Sequence, residues 1–418
     1  MQYKYAVRRL KKAGDMIKND KFVQDLLRGG RNIFKEVKQH RGQTKMCSST
    51  IDGTVGSENI AEHFANIYSE LYSKVELDDD FDKLSDDIKA KITDTSDISR
   101  VNESVVREAL KKMKAGKSDT LYDFSSDCLI NGPDSLIPHL TNLIKLFISH
   151  GKAPVSLLVC SLVPIVKDSL GDLAASDNYR AIAIGSLLLK LLDWIILILE
   201  GDKLSVDELQ FGFQGLTSTT MCTWSLTATI DYYKCRGRTV YGCAMDCSKA
   251  FDLVSWTELF TKLRDRGISP LFLRLIIFIY RNQSCDVKWN GKKSHRFAVS
   301  NGVRQGAVSS PILFCLYVDS LIKELRSSGL GCQIGGIYLG IAVYADDIFL
   351  LSASRNGLQS MVDICQRFAE KFNLRFSTNP QNVSKSKTKC IIFSSKVTER
   401  RNVSPILLDG LPFLGLKN

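Results

Sequence analysis

The sequence contains few of the residues that build soft-metal sites, and none of them in the required spacing. It has 5 histidines and 12 cysteines, and the closest cysteines, Cys243 and Cys247, have no histidine cluster near them. This pattern does not indicate a zinc module. Because the first residues also lack the apolar core of a secretory signal, we expect reduced thiols in an intracellular protein of the nucleus or cytoplasm.

The chain also lacks a long uninterrupted apolar run, an internal repeat and a low-complexity segment. The segment "IAIGSLLLKLLDWIILIL" is the most apolar, but Lys190 and Asp193 interrupt it. A membrane-spanning helix needs about 18 consecutive apolar residues, so we expect a buried core helix and no membrane partner. With 418 residues, 44% hydrophobic and 24% charged, the chain is long enough for two or three globular domains.

Positive charge dominates, with a formal net charge of +11, and it is unevenly distributed. Residues 1–50 hold 13 Lys and Arg against 4 acids, whereas the stretch from Glu76 to Asp97 is acidic. A basic balance favours a polyanionic partner such as nucleic acid. Contact with nucleic acid and a merely solvated charged face both remain open for the basic segment. The acidic stretch is interpreted as a solvated linker.

Helix signals occupy the first part of the chain. Residues 1–74 are predicted to form basic amphipathic helices. In "VNESVVREALKKMKAGKSD" Ser104 is the candidate N-cap and Gly116 the stop, and a second helix is predicted to end near Gly151. In "SWTELFTKLRDRG" Ser255 begins a capping box with the glutamate three residues later.

Strand signals dominate later and follow a recognisable order. The strand "TVYGCAM" runs into Asp246, a helix follows, and "GIAVY" and "IFLLSAS" flank the pair Asp346 and Asp347. The helix "GLQSMVDICQRFAEKFNL" and the strand "TKCIIFSS" complete the series. Strand, helix, strand, strand, helix, strand is the split βαβ order of a ferredoxin-like antiparallel sheet. It predicts an α+β fold in which Asp246 lies beside the tip of the hairpin.

Three carboxylates would then meet at one edge of a sheet. Asp246, Asp346 and Asp347 have no basic residue in the flanking apolar runs, so their mutual repulsion would be relieved by divalent cations. Two Mg²⁺ ions about 3.5–4 Å apart would suit an in-line phosphoryl displacement. The alternative is that the Asp-Asp pair is only a soluble hairpin tip.

Six ordered segments carry a family resemblance. The segments "YADD", "AMDCSKAFDLVSW" and "NGVRQGAVSSPILFCLYVDSL" resemble the central motifs of reverse transcriptases. The segments "LVPIVKDSLGDLAASDNYRAIAI", "LQFGFQGLTSTT" and "SKTKCIIF" are similar to flanking motifs of the type found in non-LTR (LINE-like) retrotransposons. The resemblance covers about residues 100–395.

The resemblance implies a right-hand polymerase with fingers and a palm, and a thumb that is missing or truncated. It divides the chain into residues 1–99 as a basic helical extension with an acidic linker, 100–235 as fingers and 236–418 as palm. The reverse transcriptase domain would span about residues 155–415.

The resemblance also assigns roles to the acidic cluster and its surroundings. Asp246, Asp346 and Asp347 would be the catalytic carboxylates and would hold two Mg²⁺ ions, with Mn²⁺ as a substitute. The main-chain carbonyl of Cys247 would add an oxygen ligand. Lys387, in the late lysine motif, would protonate the departing pyrophosphate.

A second group of residues is implied to bind the nucleotide and template. The fork-like Arg180 would bind the triphosphate bidentately and Lys167 would act as a point charge. Phe251 stands where the family has an aromatic gate against a ribose 2′-hydroxyl, and a buried core aromatic is the alternative. The loop containing Arg304, Gln305 and Gly306 would approach the nucleotide and template.

We therefore expect an RNA-directed DNA polymerase, a nucleotidyltransferase with an RNA template, a DNA primer and deoxynucleotides as partners. One alternative is an inactive retroelement remnant that only binds nucleic acid. Another is a host-domesticated or group II intron-like reverse transcriptase, which keeps the same chemistry. The oligomeric state is open.

Overall fold

The computed structural model describes residues 48–75, 79–119, 124–304, 306–377, 386–394, 405–408, 411–413 and 415–416. The chain divides into two compact units, Met1–Ser49 and Thr50–Asn418. The fold below is that of the second unit. The predictions for the basic residues 1–47 and for Gln305 lie outside the described residues.

Helices account for much of the described part of this unit. Their bounds in chain order are α1 Ser57–Tyr72, α2 Asp79–Ala90, α3 Asp97–Arg100, α4 Glu103–Lys112, α5 Ser126–Ile130, α6 Leu136–His150, α7 Leu187–Glu200, α8 Thr219–Lys234, α9 Trp256–Asp265, α10 Pro270–Arg281, α11 Ser310–Ser327 and α12 Arg355–Lys371.

Strands form two larger sheets and several small hairpins. Their bounds are β1 Thr50–Ile51, β2 Thr54–Val55, β3 Val159–Val166, β4 Tyr179–Ile184, β5 Val240–Asp246, β6 Ser284–Trp289, β7 Lys292–Lys293, β8 Phe297–Ala298, β9 Gln333–Ile334, β10 Ile337–Tyr338, β11 Ile341–Tyr344, β12 Asp347–Ser352, β13 Lys389–Phe393, β14 Ile406–Leu408, β15 Leu411–Phe413 and β16 Gly415–Leu416.

The first larger sheet has the strand order β11-β12-β5-β13-β16. The pairs β11/β12, β12/β5 and β5/β13 are antiparallel, and β16 joins β13 in parallel. The helices α9 to α11 lie between β5 and β11 in the chain, and α12 lies between β12 and β13. This is the predicted split βαβ arrangement, with the first strand central.

The second larger sheet has the order β4-β3-β6-β7, with β8 paired to β6. Its β3/β6 pair is parallel and its β3/β4 pair is antiparallel, so the fold as a whole is mixed. Strand β6 follows β5 in the chain but lies in this second sheet. The predicted boundary between fingers and palm lies between residues 235 and 236. It would place β3 and β4 in one domain and β6 in the other, although these strands share one sheet.

Helices α1 and α2 belong to the same core as the later elements, although the sequence placed them in an extension and a linker. The fully buried Phe64 of α1 packs against Tyr179 and Trp289, with ring centroids 5.4 Å and 5.3 Å away. The acidic segment forms helix α2, whose buried Phe81 packs against Trp256 and Phe260 of α9. Where the sequence indicated a solvated linker, this segment buries an apolar stripe beneath its acids.

Local end signals were partly predictive. Ser255 accepts a hydrogen bond from the Glu258 N–H at the start of α9, and Gly151 ends α6 with a φ of 63°. Helix α4 differs, since Asn102 rather than Ser104 accepts the capping hydrogen bond. The helix also ends at Lys112, before Gly116.

Most of the most apolar segment forms the buried helix α7, as predicted, while its first three residues end β4. Among the described residues, no helix is long and apolar enough to cross a membrane. Asp193, which interrupts the apolar pattern, is itself buried.

Candidate active site

The acidic pair lies at the turn between β11 and β12. Tyr344 pairs with Asp347, so Ala345 and Asp346 form a two-residue turn. Ala345 has a φ of 59°, a left-handed conformation that costs a non-glycine residue about 1–2 kcal/mol. Strain of this kind persists only where surrounding contacts hold the backbone in place.

Those contacts come from the segment Leu209–Gly212. The Phe211 N–H donates to Val343 O at 2.7 Å, so this segment runs beside β11. The fully buried Gln210 accepts hydrogen bonds at Oε1 from the N–H groups of Gly212, at 2.9 Å, and Ala345, at 3.0 Å. Sequence reasoning assigned no role to Gln210, and its signal was a polar residue inside the quoted motif "LQFG".

Strand register brings the third carboxylate to the turn. Asp246, the last residue of β5, lies directly opposite Asp347 in the antiparallel β12/β5 pair. Residues opposite each other in such a pair project their side chains from the same face, with Cβ atoms about 4.5–5.5 Å apart. The predicted placement of Asp246 beside the hairpin tip is therefore observed.

The carboxylates affect one another electrostatically. Burial raises the pKa of Asp346, and the charges of Asp347 and Asp246 raise it further, while Arg180 opposes the shift. Burial and the charge of Asp246 likewise raise the pKa of Asp347, against the influence of Lys387. The carboxylates thus repel one another, and a nearby cation would relieve that repulsion.

The donor chemistry of this cluster fits a hard divalent cation, but the side chains are not arranged as a ready-made site. In the part of the chain that the structure describes, no group of three or more His, Cys, Asp or Glu side chains could hold a metal ion as it stands. Carboxylate oxygens are the ligands that Mg²⁺ prefers. Binding would therefore require Asp246, Asp346 and Asp347 to converge through side-chain rotation. The thiol of Cys247 is buried and its pKa is raised, so only its carbonyl is a candidate ligand.

Lys387 lies beside the acids. Its Nζ is 3.7 Å from Asp246 Oδ2, and its side chain is exposed. The neighbouring Thr388 accepts a hydrogen bond at Oγ1 from the Asp246 N–H at 3.4 Å, which joins the late lysine motif to the end of β5. The structure thus brings this predicted residue to the carboxylates.

Further basic side chains lie near the acidic cluster. Burial lowers the pKa of Lys167, and the positive charges of Lys249, Arg180 and Lys387 lower it further. Lys167 Nζ also donates to Asp177 O at 2.7 Å. Sequence reasoning missed Lys249, which is exposed and has a φ of 52° in the segment between Asp246 and Phe251. The available signal was its position inside the quoted "AMDCSKAFD" motif.

Phe251 is half-buried and contacts two other aromatic rings. Its ring stacks on Phe314 of α11, with centroids 4.3 Å apart and an interplanar angle of 20°. Phe213 approaches it edge-on at 6.5 Å and has a φ of 57°. The ring therefore combines a packed face with a partly open one, which suits both the gate and the core interpretation.

The loop before α11 is built differently from the expectation. Arg304 is buried, and its Nη2 donates to both carboxylate oxygens of Asp193 at 3.0 Å and 3.2 Å. Its guanidinium is therefore paired in the core, because a buried charge needs a partner, and its approach to nucleotide and template stays a prediction. Gly306 has a φ of 91°, and a Cβ there would lie 2.3 Å from Ala183 O. Its backbone thus approaches β4 closely, and its approach to nucleotide and template stays a prediction.

Comparison with known proteins agrees with this geometry. The reverse transcriptase (RNA-dependent DNA polymerase) family matches residues 165–397, which is more than half of the chain. The chain therefore belongs to the reverse transcriptase family.

Its relatives specify the branch. A retrovirus-related Pol polyprotein from the type-2 retrotransposable element R2DM of Drosophila melanogaster is 26% identical over 59% of this chain and 24% of its own length. The corresponding polyprotein of the type-1 element R2 of Nasonia vitripennis is 29% identical over 60% of this chain and 24% of its own length. The RNA-directed DNA polymerase from the mobile element jockey of Drosophila funebris is 27% identical over 64% of this chain and 30% of its own length.

These relatives confirm the resemblance to the reverse transcriptases of non-LTR, LINE-like retrotransposons. The chain spans 24% of the length of the first two relatives.

Proposed function

We propose that this chain is an RNA-directed DNA polymerase that adds deoxynucleotides to a DNA primer on an RNA template. The observation that carries the proposal is the register of β12 and β5, which sets Asp347 opposite Asp246 at a strained turn. Neither a soluble hairpin tip nor a packing role requires three mutually repelling acids at this edge.

The first larger sheet would be the palm and the second the fingers. The acids project from the edge of the palm sheet, and Lys167 and Arg180 lie at the ends of β3 and β4 in the other sheet. Because the charge of Arg180 opposes the rise in the pKa of Asp346, charges from the two sheets act on one site. Such an arrangement suits a nucleotide whose phosphates bridge them.

Asp246, Asp346 and Asp347 would hold two divalent cations, Mg²⁺ or Mn²⁺, with the Cys247 carbonyl as an added ligand. When bound, these ions would lower the pKa of the primer 3′-hydroxyl and neutralise charge on the phosphates. Arg180 and Lys167 bind and orient the triphosphate, and Phe251 excludes a ribose 2′-hydroxyl. Lys387, held near Asp246, donates its proton to the departing pyrophosphate.

Primer extension on poly(rA)–oligo(dT) with dTTP and Mg²⁺ tests the proposal. We expect Asp246→Asn and Asp346→Asn each to lower kcat by about a thousandfold or more, since metal-assisted charge stabilisation is worth several kcal/mol. The control is Asp202→Asn, an exposed acid after α7, which should match the parent.

If either active-site variant extends the primer as well as the parent, the carboxylates are not catalytic. If the parent binds the primer–template in a salt-dependent way but incorporates nothing, the chain is a nucleic-acid-binding remnant instead.

A further inference from the structure

The end of helix α1 is joined to the loop that precedes α11. The Ser300 N–H donates to Tyr72 O at 2.8 Å, and the Val75 N–H donates to Asn301 Oδ1 at 3.3 Å. The Asn301 Nδ2 donates to Leu71 O at 3.1 Å, and the residue is fully buried. Two of these bonds are accepted by carbonyls of the last helical turn, which have no partner within the helix, so they fix where the helix ends relative to the loop.

The same loop is joined to the segment that follows Asp246. The Val303 N–H donates to Phe251 O at 2.8 Å, and Asn301 Nδ2 also donates to Asp252 O at 2.6 Å. A Cβ at Gly302 would lie 2.7 Å from Asp252 O, so the two backbones are as close as a glycine allows. Three chain segments distant in sequence therefore meet beside Phe251.

A side-chain hydrogen bond completes this junction. Tyr72 donates through its hydroxyl to Asp252 Oδ1 at 2.8 Å, and both groups are buried. Burial and the nearby carboxylate hold the pKa of Tyr72 well above its ordinary value, so the phenol keeps the proton that it donates. Tyr68, one turn earlier on the same helix, has a buried hydroxyl with no hydrogen-bond partner among the described residues.

We propose that Tyr72 is a positioning residue that acts through Asp252 to hold Phe251 against Phe314, and thereby favours deoxynucleotides over ribonucleotides. This inference rests on the proposed polymerase function. Asp252 is adjacent to Phe251, so restraining its carboxylate restrains the backbone torsions that aim the aromatic ring. The stacked Phe314 fixes one face of that ring, and the hydrogen bond to Asp252 limits how far the ring slides from it. An aromatic gate discriminates by a steric clash, so movement of the ring away from the sugar would weaken the exclusion of a 2′-hydroxyl.

Two isosteric variants of the full chain separate this role from general stability. Tyr72→Phe removes a hydrogen bond to a buried carboxylate, whereas Tyr68→Phe removes a buried hydroxyl without a partner. The readout is the ratio of kcat/KM for dTTP to that for UTP on poly(rA)–oligo(dT) with Mg²⁺. We expect the ratio to fall about tenfold in Tyr72→Phe, as for loss of one hydrogen bond to a charged group, and to stay at the parent value in Tyr68→Phe.

A conservative variant and a physical measurement strengthen the test. Asp252→Asn keeps an acceptor oxygen for Tyr72 but loses the charge, so its ratio should lie between those of the parent and Tyr72→Phe. Amide hydrogen exchange of residues 249–254 should be faster in Tyr72→Phe and unchanged in Tyr68→Phe, whether or not the protein is active.

The outcomes are distinguishable. An active parent with equal sugar discrimination in Tyr72→Phe and Tyr68→Phe overturns the proposal, whatever the exchange rates are. A parent that never extends the primer refutes the polymerase function alone, and hydrogen exchange then decides the positioning role. Equal exchange in the two variants would in that case overturn it.

Discussion

Gly212 packs against the acidic turn, so a substitution there would displace the turn without changing a carboxylate. A Cβ at this position would lie 2.4 Å from Ala345 N and 3.1 Å from Ala345 Cα, both backbone atoms. Since ordinary contact begins at 3.4 Å, the turn must retreat by about 1 Å to accommodate Gly212→Ala. The hydrogen bonds from Gly212 and Ala345 to the shared Gln210 oxygen would lengthen at the same time.

The expected effect is a large loss of activity in a protein that remains folded. A misplacement of about 1 Å costs about a hundredfold in rate when reacting groups must be aligned. Overpacking of this size lowers the free energy of unfolding by about 1–3 kcal/mol. We therefore expect kcat/KM for primer extension to fall about a hundredfold while the protein still melts cooperatively.

The assay compares Gly212→Ala with Gly215→Ala, measured by primer extension and thermal unfolding. Gly215 lies in the same loop, and a Cβ there would meet nothing within 4 Å. The control should retain the activity of the parent. If Gly212→Ala is as active as Gly215→Ala, then the segment Leu209–Gly212 does not hold the catalytic turn in place, and the reasoning fails.

Two further predictions concern buried charges. Asp193→Asn leaves the buried Arg304 without its charge partner, so the free energy of unfolding should fall by about 3–5 kcal/mol. Chemical unfolding should show at most about 1 kcal/mol for the control Asp134→Asn, whose pair with Arg107 is exposed. Burial lowers the pKa of Lys262 from 10.5 to about 8, so the unfolded chain binds more protons between these values and stability rises with pH. Lys262→Met removes this dependence. Between about pH 7 and about pH 9.5, the free energy of unfolding of the parent should rise by about 1–2 kcal/mol relative to that of the variant. A difference that stays constant with pH would mean that Lys262 titrates normally.

The features predictable from sequence were those encoded by neighbouring residues. Short apolar runs rich in strand-forming residues identified the strands around Asp246 and Asp347. The order of elements then predicted that these two strands lie side by side. The Ser255 cap and the Gly151 stop were predictable because a cap bonds within one turn of its own helix. The acidic composition of helix α2 suggested a solvated segment. The helical spacing of Phe81, Leu84 and Ile88 nevertheless indicates the apolar stripe that the structure buries.

The features that escaped prediction depend on partners far along the chain. From its loop position Arg304 resembles a ligand-binding arginine. Its buried ion pair with Asp193 on α7 becomes evident only in the folded structure. Gln210 acquires its role from the N–H of Ala345, and Tyr72 acquires its role from Asp252. Such pairings follow from how the two sheets and α1 pack, which no local periodicity encodes.

The packing of helix α1 bears on the smallest piece of this chain that folds by itself. The family match begins at residue 165, yet Phe64 fills the space against Tyr179 and Trp289, and both of these aromatics lie inside the match. A protein trimmed to residues 165–397 would present those rings to water and would lose every bond at the end of α1. We therefore expect the smallest piece that folds by itself to be longer than the family match and to begin before Ser57.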